Sequence, residues 1–158
     1  PLPAEVSAEV IQDAQRDTVV CKHVLIVDDS TIARKQIQKV VESLGVKTTL
    51  RKDGREALDF LKGLIEDGKD PYHELLMIIS DIEMPEMDGY TFTAEVRASD
   101  ELKNLHIILH TSLSGVFNEA MVKKVGANDF LAKFHPDELA IRVNKRIEQI
   151  NEEGESVE

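Results

Sequence analysis

Basic residues are scarce in this chain. Nineteen Lys and Arg face 30 Asp and Glu, giving a formal net charge of −11 and a pI near 4.9. Nucleic-acid binding rests on Lys and Arg neutralising phosphates, and attachment to an anionic membrane rests on a polybasic patch, so neither is expected. Long apolar runs are missing as well. None approaches the roughly 20 residues that span a bilayer, and no basic segment followed by an apolar stretch opens the chain as a secretion signal would. The single cysteine, Cys21, excludes an internal disulfide and points to a reducing, cytoplasmic compartment. Repeats and low-complexity tracts are absent. The first residue is Pro1, not Met, so a piece of a longer protein is expected.

The chain does have enough length and apolar content for one packed domain: 158 residues, 42% hydrophobic and 31% charged. Residues 1–20 read as a linker or the tail of a missing N-terminal domain, with Val6, Val10, Ile11 and Ala14 on a narrow helical stripe. Residues 151–158, "NEEGESVE", read as a flexible acidic tail. Between them, over 21–150, short apolar runs alternate with segments of helical period.

The runs are "KHVLIV" (Lys22 to Val27), "VKTTLR" (Val46 to Arg51), "LLMIIS" (Leu75 to Ser80), "LHIILH" (Leu105 to His110) and "NDFLA" (Asn128 to Ala132). A helix with Ala33, Ile37, Val40, Val41 and Leu44 inward follows the first, and Gly45 stops it. Asp53 caps the next, which carries Ala57, Leu61, Leu64 and Ile65. A short helix over 89–98, started by Asp88, buries Phe92 and Val96. A fourth is expected from Ser114 to Gly126 with Phe117, Met121 and Val125 on one face, and Pro136 opens the last. Apolar strands joined by helices predict a flavodoxin-like α/β fold. It is a parallel five-stranded sheet with helices on both faces, and a flavodoxin-like order, 2-1-3-4-5, makes strands one and three neighbours. Ligands of such sheets sit beyond the carboxyl ends of the strands, where strand order reverses.

Those ends carry Asp28-Asp29, Asp81, Thr111-Ser112 and Lys133. An acid after a strand often only caps the next helix, but three at one edge exceed what capping needs. Like charges about 4 Å apart cost about 4 kcal/mol at an effective dielectric of 20. Lys133 offsets one charge, which leaves a surplus suited to Mg²⁺, a cation of oxygen ligands. Asp81 is then either a ligand only or also a nucleophile toward phosphorus, with the metal, an ammonium and a hydroxyl meeting the charge on the transferring oxygens. His106, His110 and His135 are scattered, have no Cys partner, and read as ordinary surface or strand-end residues.

Taken together, "VLIVDDS", "SDIEMPEMDGY", "LHTS" and "FLAKFHP" resemble the receiver domain of bacterial two-component response regulators over about residues 21–150. The resemblance implies that Asp81 is the phosphoacceptor and that a histidine kinase is the donor. It implies Mg²⁺ ligands at Asp28, Asp29, Asp81 and the Glu83 main-chain carbonyl. Thr111 and Lys133 match the phosphoryl-sensing pair, and Phe130 the aromatic that swings inward. Glu83 and Leu113 fall where the family tunes hydrolysis. One departure stands out: receivers usually follow the lysine directly with Pro through a cis peptide, whereas "AKFHPDEL" inserts Phe134 and His135. A cis Lys133-Phe134 bond would cost about 3–4 kcal/mol, so either the loop is rebuilt trans or the strain is kept. "AKFHPDEL" with "DIEMPEMDGYT" is similar to the receiver half of CheV-type chemotaxis proteins, which implies a CheA-like kinase and a CheW-like domain before residue 1. A stand-alone CheY-like receiver is the alternative. An Asp-nucleophile phosphatase is disfavoured because Glu83 stands where a second Asp would act as general acid, and a flavodoxin-like cofactor binder because two acids occupy the first strand's phosphate loop.

Overall fold

The computed structural model describes residues 22–113 and 117–157. Five strands, β1 (His23–Val27), β2 (Lys47–Arg51), β3 (Leu75–Ser80), β4 (Ile107–Thr111) and β5 (Asp129–Ala132), form one sheet of order β2-β1-β3-β4-β5. Every neighbouring pair is parallel. Six helices are present among the described residues: α1 (Thr31–Ser43), α2 (Gly54–Glu66), α3 (Pro71–Glu74), α4 (Gly89–Ala98), α5 (Glu119–Val125) and α6 (Pro136–Val157). This is the expected flavodoxin-like topology, and strand order reverses between β1 and β3.

Strand residues alternate between two cores, as a period of two requires. Leu25, Val27, Ile107 and Leu109 pack beneath α2, α4 and α5, while Val24, Ile26 and Ile108 pack against α1 and α6. Burying each such aliphatic side chain contributes about 1.5–3 kcal/mol. β3 is buried along its whole length, which explains a run with no polar alternation before Ser80. Helix starts follow capping chemistry: Ser30 Oγ accepts the Ala33 N–H at 3.2 Å, Asp53 Oδ1 that of Glu56 at 2.9 Å, and Asp88 Oδ1 that of Thr91 at 2.7 Å.

Three elements differ from the sequence reading. The helix expected from Ser114 begins at Glu119, because the Asn118 side chain accepts the Ala120 N–H. Ser114 lies outside the described residues, Phe117 precedes the helix, and Val122 is its buried residue, whereas Met121 and Val125 are half-buried. An additional turn, α3, precedes β3, with Asp70 as cap and Pro71 in the first turn. Finally, α6 continues through the stretch expected as a flexible tail, where Glu153 Oε2 accepts the Tyr72 hydroxyl at 2.9 Å. The expected linker over 1–20 and Cys21 lie outside the described residues.

Candidate functional site

The sheet register builds the site. Val27 is paired with Ser80, so the next residues, Asp28 and Asp81, leave the sheet side by side at the switch point. The Asp81 N–H donates to Val27 O at 2.7 Å, which continues the ladder one step past β3. On the other flank Thr111 is paired with Ala132, and the Lys133 N–H donates to Thr111 O at 2.8 Å. Four strand ends thus deliver Asp28, Asp81, Thr111 and Lys133 to one edge. A cavity there is lined by Asp29, Asp81, Ile82, Glu83, Thr111, Ser112 and Lys133, with Asp28 buried beneath.

One oxygen from each of Asp28, Asp29 and Asp81 lies within 4.8 Å of the others. Asp28 is fully buried, Asp81 nearly so, and Asp29 is exposed. Lys133 Nζ bridges the two inner acids, 3.0 Å from Asp28 Oδ2 and 3.3 Å from Asp81 Oδ1. Asp28 Oδ2 accepts no further bond, and Asp28 Oδ1 accepts the Ser30 N–H at 2.9 Å. Asp81 Oδ1 also accepts the Ile82 N–H at 2.8 Å. One ammonium among three carboxylates leaves an excess negative charge in a poorly solvated place. The Asp81 pKa responds by rising from 3.8 to about 6, through burial first and the neighbouring Asp28 second, despite Lys133 and the Ile82 N–H. Burial opposes the Lys133 charge, but Asp28 and Asp81 outweigh it and raise the Lys133 pKa. The donor set is three carboxylates converging on one point with solvent on the Asp29 side, which suits a hard divalent cation that keeps several waters.

Thr111 is buried, and its Oγ1 accepts the Leu113 N–H at 3.0 Å, which leaves its proton free to donate. Phe130 is half-buried and packs on Phe117 with ring centroids 5.0 Å apart. The loop after β5 is rebuilt trans: among the described residues there is no cis peptide, and Phe134 takes a left-handed φ of 70°. Glu86 and Leu113, with φ of 65° and 60°, are the other non-glycine residues in that region among the described ones, and both sit on loops at this same edge. None of the three histidines joins the acid group. His110 is buried, not a surface residue, and burial together with Lys133 and His135 holds its pKa down at about 4. His106 falls to about 4 as well, through burial and then Arg146 and Arg97.

Two contributors escaped the sequence reading. Gly89 opens α4 against the Asp81 backbone: a Cβ there would collide with the Asp81 carbonyl oxygen and lie 2.9 Å from Ile82 Cα. Arg34 reaches back from α1 to the Asp28 carbonyl at 2.6 Å. Gly89 carried a turn signal only. Arg34 sits six residues past Asp28, on the first turn of a helix, a spacing that is ambiguous without the helix phase.

A five-stranded parallel sheet in this order, with three acids and a lysine at its switch point, is the architecture of a CheY-like signalling domain. The chain belongs to the response regulator receiver domain family, which it matches over residues 24–144. Among curated proteins it is similar to chemotaxis protein CheV3 of Helicobacter pylori, 32% identical over 80% of this chain and 41% of that protein. It is also similar to the sensor histidine kinase CheAY of the same organism, 34% identical over 78% of this chain and 14% of that protein. The chain thus spans about two fifths or less of the CheV relatives it matches. Among solved structures it resembles the receiver domain of a histidine kinase from Syntrophus aciditrophicus, with TM-score 0.70, 30% identity, and coverage of 82% of this chain and 92% of that one. It also resembles CheY4 of Vibrio cholerae, with TM-score 0.63, 30% identity, and coverage of 80% and 98%. It is a receiver domain of the response-regulator type.

Proposed function

We propose that this domain is a phosphorylatable switch in bacterial chemotaxis. A CheA-like histidine kinase transfers a phosphoryl group to Asp81, and the modified domain presents altered surfaces to partner proteins. The observation that carries this reading is the grouping of Asp28, Asp29 and Asp81 within 4.8 Å of one another beside a bridging Lys133. Asp28, Asp29, Asp81 and the Glu83 main-chain carbonyl would hold Mg²⁺, which when bound neutralises charge on the transferring oxygens.

The acceptor atom is Asp81 Oδ2, since Oδ1 is held by the Ile82 N–H and Lys133. Its lone pair attacks the phosphorus of a phosphohistidine. The O–P bond forms, the P–N bond breaks, and the leaving imidazole takes the electron pair and a proton from solvent. Lys133 pairs with one phosphoryl oxygen, and the Thr111 hydroxyl proton is donated to another. Phe130 turns inward behind Thr111, re-forming the face made by α5, β5 and α6. By its likeness to CheV proteins, the domain works alongside a CheW-like coupling domain at receptor arrays. The switch there serves adaptation or drains phosphoryl groups as a sink, in the cytoplasm.

Incubation with Mg²⁺ and a small acyl phosphate, followed by intact mass, tests the reading. One phosphoryl adduct is expected on the unmodified chain and none on Asp81→Asn. An adduct of equal yield on both would overturn it, and steady release of phosphate over many turnovers would instead favour a phosphatase.

A further inference from the structure

Among the described residues the side chain of Asp29, the exposed acid of the cluster, makes no hydrogen bond or ion pair, so its placement rests on the turn that carries it. Besides the main-chain bonds from Asp28 N–H to Arg51 O at 3.1 Å and from Arg34 N–H to Ser30 O at 2.9 Å, side chains hold that turn at three points. Asp28 Oδ1 accepts the Ser30 N–H at 2.9 Å, and Ser30 Oγ accepts the Ala33 N–H at 3.2 Å. Arg34 supplies the third: Nη1 donates to the Asp28 carbonyl at 2.6 Å, while Nη2 donates to Thr31 Oγ1 at 3.1 Å. The Asp28 carbonyl belongs to the peptide that joins the two acids. Fixing it fixes the plane from which the Asp29 side chain departs. The rigid, planar fork of a guanidinium offers a separate nitrogen to each oxygen, whereas the single nitrogen of a flexible lysine would have to be held between the two.

We infer that Arg34 is the positioning residue for Asp29, and so for the exposed side of the cation site. This rests on the function proposed above. Two effects of Arg34 oppose each other. Its positive charge repels an incoming cation, while its two bonds preorganise the acids that receive one. Removing a partner that orients metal ligands typically costs 10–100-fold in affinity. Electrostatic repulsion alone predicts the reverse, that loss of Arg34 tightens cation binding.

The signs therefore separate the two roles. Mg²⁺ titrated into the metal-free domain and followed by amide NMR should show a half-saturation about tenfold higher for Arg34→Met, at the lower end of that range. Arg34→Lys, which keeps the charge but not the fork, should be weakened to a similar degree. The Mg²⁺ concentration that half-saturates phosphorylation should rise by a similar factor. In the metal-free variants the Ser30 amide should exchange faster, while amides of β3 and β4 stay protected, which distinguishes local loosening from misfolding. Unchanged or tighter Mg²⁺ binding in Arg34→Met would overturn the inference, as would a full return of affinity in Arg34→Lys. Failure of the unmodified protein to bind Mg²⁺ at all would instead overturn the functional reading beneath it.

Discussion

Replacing Asp81 by Asn should stabilise the metal-free domain, and the gain should depend on pH in a defined way. An unfolded Asp ionises near 3.8, whereas Asp81 in the folded protein does so at about 6. As pH rises, the unfolded chain loses this proton first, so the folded state is progressively disfavoured. That rise corresponds to about 3 kcal/mol, a cost absent below about pH 4 and complete above about pH 6–7. Asn removes the charge and retains an oxygen for the Ile82 N–H, while Lys133 keeps its 3.0 Å pairing with Asp28. Urea unfolding in the presence of a chelator, repeated across this pH range, should show the two proteins nearly equal at pH 4. The variant should be more stable by about 3 kcal/mol at pH 7.5. Mg²⁺ should then narrow the gap, because it binds only the folded state with all three acids. A gap that is flat with pH, or a variant less stable at pH 7.5, would refute the reasoning.

The rebuilt loop after β5 and the tight start of α4 give two further expectations. Phe134 has a φ of 70° and is 60% exposed, so Phe134→Gly should be more stable than Phe134→Ala by about 1 kcal/mol in denaturant melts, since glycine carries no left-handed penalty. Phe134→Pro should be worse than either, because proline fixes φ near −65° and the turn here runs through positive φ. For Gly89→Ala, the methyl meets backbone atoms of Asp81 and Ile82, which cannot yield as a flexible side chain would. A loss of about 3 kcal/mol is expected in urea unfolding, together with slower uptake of phosphate from an acyl phosphate.

Much of this molecule was legible because its strands advertise themselves. β3 is an unbroken apolar run since both of its faces are covered, and Asp53, Asp88 and Pro136 mark helix starts by chemistry that operates within four residues. The start of α5 is ambiguous in the sequence because Ser114 and Asn118 are both good caps, and local chemistry does not choose between them. The turn α3 had its signal in Asp70-Pro71, though at one turn in length it produces no periodicity. The sequence reads His110 as a surface or strand-end residue; it stands next to the end of β4 but is buried where α1 approaches the loop after β5, which no local pattern encodes.

By itself the sequence determined the alternation of strands and helices, and with it the rule that Asp28, Asp81, Thr111 and Lys133 each stand at a strand's carboxyl end. Those are properties of short segments, set by periodicity and by capping. Tertiary structure alone decided which of these residues meet. The parallel register placed Val27 against Ser80 and Thr111 against Ala132. Lys133 then reaches two acids more than 50 positions away, burial and then the neighbouring Asp28 lift the Asp81 pKa, and Arg34 closes on the Asp28 carbonyl. Distances and burial between remote segments arise only once the sheet has assembled, because packing fixes them and no local preference does.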